Sequence, residues 1–258
     1  MEMNLPKVHW FNILEDRDCL WMFFNHVPPT RVGLARSEDG VNFHIVRESV
    51  LRRGTRFLNR FGSWDSILIE SHSVLRNGGK WRMYFGGYDG HWRIGYAESK
   101  DLENWTKYWD NPVFDLGQDD WESKHVADPH LTDFNGKRLM YYMGKGDVWQ
   151  VGLAVERGSR LLRHEENPVI RAEKDWNRGC VCLSGIAFHD EFVATVHGFN
   201  PFDSKFRAYL MTSEDGVNWT ERSFLGENII HPEIHNVNGR LILYYTDTEN
   251  NFRSRPLL

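Results

Sequence analysis

The sequence predicts an all-β fold: a single five-bladed β-propeller over residues 1–258, each blade a four-stranded antiparallel sheet. Three observations predict it. The stretch Glu70–Trp105 reads as three short strands and their turns, with a fourth strand at Thr106–Phe114, and Asn77-Gly78-Gly79 supplies a tight hairpin whose glycines accept positive φ. The same pattern recurs along the chain. Lys137–Tyr142 (KRLMYY) falls under Lys80–Phe85 (KWRMYF) at a shift of 57 residues, and Gln150–Ala154 falls under Arg93–Ala97 at the same shift. Finally, aromatic residues make up 14% of the chain, including 11 Trp, and runs such as Trp81–Phe85 are apolar on both faces, as in sheets covered on both sides. A repeat of about 60 residues with four strands per copy is the mark of a ring of small sheets that bury their faces against one another.

Taken in order, the first blade runs from Val8 to about Val50, with His9–Leu14 as its inner strand and Arg31–Asn42 matching the third strand and following turn of the repeat. Arg52–Ser63 is a basic, glycine-containing connection, too long for a turn and therefore expected to wall a pocket. The second blade ends at Asn111-Pro-Val-Phe, echoed in the third by Asn167-Pro-Val-Ile. Trp64, Trp121 and Trp176 recur just ahead of successive inner strands, which marks them as structural. The fourth blade covers roughly Cys182–Leu225, and Arg207–Trp219 repeats the third-strand pattern. The last copy, Ile229–Thr246, has room for about three strands, so the N-terminus is expected to help close the ring against Phe252–Leu258.

The net charge of −5, with both signs spread along the chain, points to neither a nucleic-acid nor a membrane partner. No apolar stretch approaches 18 residues, and Met1–Lys7 lacks a signal-peptide pattern. The three cysteines, Cys19, Cys180 and Cys182, have no metal-ligand spacing and read as buried thiols in a reducing, cytoplasmic setting. Asn104-Trp-Thr and Asn218-Trp-Thr match a glycosylation pattern, but both lie in the repeated turn between third and fourth strands, where Asn serves the turn itself.

In a propeller the entrances of the inner strands converge on the axis. Here those segments are His9-Trp10-Phe11-Asn12, Glu70-Ser71-His72-Ser73, Ala127-Asp128-Pro129-His130, Cys182-Leu183-Ser184-Gly185 and Ile230-His231-Pro232-Glu233. Core strands would carry apolar residues at these places. These carry three carboxylates and several imidazoles instead. Carboxylates aimed at one cavity repel each other and lose hydration, which drives their pKa values apart, so that one stays protonated as an acid while another stays ionised. Glycoside cleavage requires such a pair.

At these residues the chain resembles the five-bladed glycoside hydrolases, the arabinanase and xylosidase group of family 43 with the invertases and levansucrases as relatives. Asp128-Pro followed by an apolar strand, Asn135-Gly136-Lys137 and LMYYMG is similar to that group's inner hairpin, and Glu70-Ser-His is similar to its Glu-Gly-Pro segment. The resemblance implies Glu70 as general acid and Asp128 as the aspartate that orients the sugar and tunes the acid. The family places an aspartate base on the first inner strand, where this chain has His9, Trp10 and Asn12, and it meets its Asp-Pro blade before its Glu blade, the reverse of the order here. Glu233 of the last blade is the local substitute for that base.

Around this centre, Trp10, Asn12, His72, His130 and His231 are expected to contact sugar hydroxyls or ring faces. The loops between second and third strands open on the same side. They offer Trp92, Trp149, Phe199 and Phe202 for C–H stacking, and Asp89, Lys145, Asp147 and Asn200 for hydroxyls. The expected activity is hydrolysis of a glycosidic bond in a small or terminal carbohydrate, with no cofactor and no metal. Two alternatives stay open: a glycoside phosphorylase, with Arg31, Arg93 and Lys145 as sources of positive charge for phosphate, and a non-catalytic carbohydrate-binding propeller.

Overall fold

The computed structural model describes residues 5–16, 19–55, 63–158, 160–188 and 190–257. The nineteen strands among the described residues belong to consecutive antiparallel meanders. The first comprises β1 (Val8–Asp16), β2 (Cys19–His26), β3 (Arg31–Ser37) and β4 (His44–Arg52), and the second β5 (Leu68–Asn77), β6 (Lys80–Tyr88), β7 (Trp92–Ser99) and β8 (Trp105–Lys107). The third holds β9 (His125–Phe134), β10 (Lys137–Lys145), β11 (Trp149–Arg157) and β12 (Arg160–Arg163). The fourth holds β13 (Cys180–Phe188), β14 (Phe192–Asn200), β15 (Lys205–Ser213) and β16 (Thr220–Glu227). The last has three strands: β17 (Ile230–Val237), β18 (Arg240–Thr246) and β19 (Phe252–Pro256). The third and fourth meanders merge into one eight-stranded sheet, joined by a parallel pairing of Trp149 with Cys180.

Local chemistry sets these boundaries. The inner hairpins turn on Gly78-Gly79, Asn135-Gly136 and Asn238-Gly239, and both residues of the two Asn-Gly turns have positive φ, as a two-residue hairpin with strand-like twist requires. The turns after β3, β7 and β15 repeat one device. Asp39, Asp101 and Asp215 each accept two following backbone N–H groups and hold the side-chain amide of Asn42, Asn104 or Asn218. Those bonds to the ionised form pull all three carboxyls well below the usual range. Asn104 and Asn218 therefore serve turn geometry.

The core lies between meanders. Phe23, Leu34, Ile69, Met83 and Phe85 fill the space between the first and second, and Tyr84, Ile94, Phe114, Met140 and Tyr142 that between second and third. Tyr141, Leu153, Val181, Leu183 and Phe192 join third to fourth, and Ala208, Leu225 and Leu243 join fourth to last. Phe11, Met22, Phe24, Tyr244 and Phe252 return from the last to the first. The first strands make the same circuit: β1 meets β5, β5 meets β9, β9 meets β13, β13 meets β17, and β17 meets β1. At that closure Val8 N–H donates to the Asn250 carbonyl at 2.8 Å, and the Phe11 and Phe252 rings meet edge to face at 4.9 Å. Residues 1–4 and 258 lie outside the described residues, as do residues 56–62 of the connection expected to wall a pocket.

Trp64, Trp121 and Trp176 close successive meanders against glycines of β6, β10 and β14. A Cβ on Gly87, Gly144 or Gly198 would come within 2.3, 2.3 and 2.6 Å of the respective indole, so ring and glycine are matched at three places.

Candidate active site

Every inner strand departs from regular pairing near its entrance. The register shifts lie between Val8 and Phe11, Glu70 and His72, Leu183 and Gly185, and Ile230 and Glu233, and opposite Asp128-Pro129 in the third meander. Ser71, Asp128 and His231 take left-handed backbone there, with φ of 52, 50 and 51°. Bulges re-aim side chains, and left-handed backbone outside glycine is maintained only where surrounding structure enforces it. Pairing puts His9, Glu70, Ala127, Cys182 and Ile230 at one level, and Asn12, Ser73, His130, Gly185 and Glu233 three residues deeper.

At the upper level His9 Nε2 lies 2.7 Å from Glu70 Oε2, with Glu70 15% exposed and His9 37%. Burial alone would lower the His9 pKa, but the hydrogen bond and charge of Glu70, joined by the charge of Asp128, prevail and raise it. Asp128, one strand further round, is raised to about 7, first by desolvation and then by the negative charge of Glu70, with Ser71 and His9 pulling the other way. Although lodged among protein atoms, Asp128 keeps some solvent access, as a group at the bottom of a recess does. Glu70, His9 and Asp128 thus form one electrostatic unit drawn from three strands.

The groups packed around this unit are neutral imidazole and indole, and Trp10, His72, His130 and His197 are at most 3% exposed, so the faces with which Trp10, His72 and His130 were expected to meet sugar are covered by protein atoms. The His231 ring lies 3.8 Å from Trp10 and 4.9 Å from His197, and Trp10 also meets His130 at 5.8 Å. Burial lowers His72 to about 4 and His130 and His197 to about 3, and burial with help from the neighbouring imidazoles also lowers His231 well below its ordinary value, so all four are uncharged at neutral pH. The sequence reading missed His197. It sits on β14 opposite Cys182, the level of Gly86 in the second meander, so the repeat register itself was the signal.

The deeper level is structural stitching. Glu233 is nearly inaccessible; its Oε2 accepts from Ile13 N–H and contacts His235 Nε2, both at 2.9 Å, while Asn12 Nδ2 donates to its Oε1 at 3.2 Å. Asn12 in turn accepts from Val74 N–H at 3.1 Å, and Ser73 Oγ accepts from Leu131 N–H at 3.2 Å. The expectation that Glu233 supplies a base and Asn12 binds sugar therefore meets side chains already committed to tying the first, second and last meanders together.

Of the loop residues, Trp92 packs near Gly86, beside the Glu70 backbone, and its N–H donates to His125 Nδ1 at 3.2 Å. His125, which the sequence reading also missed, stacks on Trp149 at 5.7 Å with 25° between planes, so one imidazole links the Trp149 ring to the backbone N–H of Trp92. Lys145 lies over the Trp149 ring at 5.4 Å. Asp89 is held by Arg93 at 2.6 Å. Phe202 is 77% exposed and stands clear of these rings. Cys180 and Cys182 are free and only half-buried, which corrects the expectation of buried thiols for that pair; Cys19 is buried. Among the described residues, no group of three or more His, Cys, Asp and Glu side chains is arranged to hold a metal ion.

Comparison with solved structures places this geometry in a class: the fold is the all-β, propeller-type fold of glycoside hydrolases. A thermostable family-43 glycoside hydrolase superposes with a TM-score of 0.73 at 14% identity, covering 99% of this chain and 89% of its own. A family 117 glycoside hydrolase from the marine bacterium Zobellia galactanivorans gives 0.69 at 15% identity over 98% and 85%. An endo-arabinase from Bacteroides thetaiotaomicron gives 0.69 at 12% identity over 99% and 95%. In sequence, the chain is 28% identical over 118 residues to an uncharacterized protein of Mycobacterium tuberculosis, a match covering 46% of this chain and 37% of that protein. No family model matches the sequence.

Proposed function

We propose that this chain is a single-domain, five-bladed propeller and a glycoside hydrolase whose reaction takes place at the mouth of the central recess. The observation that carries the reading is the pairing of two carboxylates from different inner strands in one recess, where burial and the Glu70 charge push Asp128 up to about 7 while His9 holds Glu70 at 2.7 Å. Asp128 then carries a proton at near-neutral pH and gives it to the leaving glycosidic oxygen. Glu70, kept in place by His9, acts on the opposite side of the bond as base or nucleophile. This exchanges the roles that the resemblance implied, because the proton is held on the aspartate. The positive charge that develops on the sugar ring in the transition state faces the Glu70 carboxylate, and the leaving oxygen takes the Asp128 proton, among neutral rings where electrostatic interactions are stronger than in water.

Several features support a carbohydrate substrate: the hydrolase fold, the half-buried indoles of Trp92 and Trp149 beside the mouth, and the half-buried imidazole of His231. A second reading, a carbohydrate-binding propeller without turnover, draws on one observation: His9 occupies the first inner strand where a carboxylate base is expected. A panel of aryl glycosides and oligosaccharides separates the two. Hydrolysis that is lost in both Glu70→Gln and Asp128→Asn supports the enzyme; stoichiometric sugar binding with no turnover across the panel supports the binding module.

A further inference from the structure

We propose that the outer edge of the second meander carries a separate saccharide-binding site built on Trp109, beside Tyr96 of β7. A groove of about 560 Å³ opens there, and Trp109, one of its lining residues, is 84% exposed. An indole in water loses the favourable transfer of its large apolar surface, so such a residue marks a contact surface when something holds it in place.

The holding is explicit. The Tyr108 ring stacks on Tyr96 at 4.7 Å and 13°, and Trp109 lies beside Tyr108 at 5.7 Å. Tyr108 N–H donates to the Tyr96 carbonyl at 3.0 Å, and the Asn111 side chain accepts from Tyr96 N–H at 3.0 Å and donates to its carbonyl at 2.8 Å. Trp109 is therefore carried on a segment pinned before and after it.

The chain supplies its own control. In the third meander the same scaffold recurs around Leu153: His164 N–H donates to its carbonyl at 2.8 Å, and Asn167 accepts from its N–H at 2.7 Å and donates to its carbonyl at 3.0 Å. There the places of Tyr96, Tyr108 and Trp109 are taken by Leu153, His164 and Glu165. Tyr96, like Leu153, packs against the core, but the turn is built equally well without rings at the places of Tyr108 and Trp109, and exposed Trp109 answers a need other than folding.

The occupant follows from the chemistry of the rim. A rigid, flat indole face is bordered by single polar groups of both signs and neither, among them Lys100, Asn104, Thr106 and Glu98. A sugar presents a C–H face to stack and hydroxyls that both donate and accept, which matches such a rim. An amphipathic helix would need a longer continuous apolar strip, and a phosphate backbone would find few free cations, because Lys80 is paired with Glu98 and Lys107 with Asp65. Because the groove lies away from Glu70 and Asp128, it would hold a polymer to the protein without contacting the reacting bond.

Affinity gel electrophoresis against soluble arabinan, xylan, inulin and galactomannan tests this, comparing the full chain with Trp109→Glu, which installs the third meander's residue, and with Glu70→Gln. The expected result is retardation by at least one polysaccharide, weakened about tenfold or more in Trp109→Glu and retained in Glu70→Gln, with thermal unfolding of Trp109→Glu unchanged. This outcome stands even if no glycoside is hydrolysed, so it separates from the activity. Absence of retardation by all four, equal retardation of Trp109→Glu, or loss in Glu70→Gln with Trp109→Glu intact overturns it. A Trp109-dependent self-association in sedimentation, without retardation, overturns it in favour of a second copy.

Discussion

Replacing Asp128 with Asn should make the protein more stable at mildly alkaline pH while abolishing turnover. A carboxyl raised from 3.8 to about 7 binds its proton more tightly in the folded than in the unfolded chain. Between those values the folded state holds more protons, so stability falls as pH rises through the window and is lowest above about 7. One pKa unit corresponds to roughly 1.4 kcal/mol, which for a rise of this size gives an upper bound of about 4 kcal/mol; partial solvent access at Asp128 reduces this to about 2–4 kcal/mol. Asn is close in shape to the protonated acid and has no charge to bury. At about pH 8 the variant should therefore gain about 2–4 kcal/mol, or roughly 4–12 °C in Tm for a chain of this length, and at about pH 4 it should gain almost nothing. Thermal and urea unfolding at the two pH values measures the difference. An equal effect at both, or destabilisation confined to alkaline pH, would refute the placement of a desolvated carboxyl beside Glu70. A functional group that strains the fold in the state where it must ionise is a common compromise at reaction centres.

Glu70→Gln removes the charge that helps raise His9 and leaves only a neutral hydrogen-bond partner, so the His9 titration followed by proton NMR should move to lower pH, and hydrolysis should fall by about a thousandfold or more. Glu233→Ala leaves Ile13 N–H and Asn12 without their acceptor and should lose about 2–4 kcal/mol in urea unfolding, whereas Glu233→Gln should keep turnover within about tenfold of wild type. If Glu233→Gln is instead inactive while fully stable, Glu233 belongs to the chemistry. Gly144→Ala puts a Cβ 2.3 Å from the Trp121 ring and should cost about 1–3 kcal/mol or more, and a neutral effect would show that the ring moves freely.

Much of the architecture was legible because the repeat is written in the residues that build it. The Asn-Gly hairpins, the Ser-x-Asp turns and the strand-two aromatics recur at fixed spacing, and each names a backbone requirement rather than a preference. The inner-strand register was legible for the same reason: Glu70, Ala127 and Cys182 pair with Gly86, Met143 and His197 at one level. What one strand's pattern does not reveal is depth along the axis and contact across it. Glu233 and Glu70 look alike as inner-strand carboxylates, yet three residues separate a fully hydrogen-bonded interior tie from a partly open mouth. The role of His9 was equally hidden, since a histidine where a carboxylate is expected reads as a loss until its 2.7 Å contact with Glu70 is seen. His197 comes from β14, paired beside an inner strand, and His125 opens β9 two residues ahead of Ala127, so neither falls within the inner-strand segments that the repeat picks out.

The most direct test of the proposed chemistry is the pH dependence of kcat/KM for the best aryl glycoside, measured for wild type and Asp128→Asn. The proposed mechanism requires a wild-type profile that declines above about pH 7 as Asp128 loses its proton, and turnover at least about a thousandfold lower in Asp128→Asn at every pH. A variant that keeps the wild-type profile would contradict it.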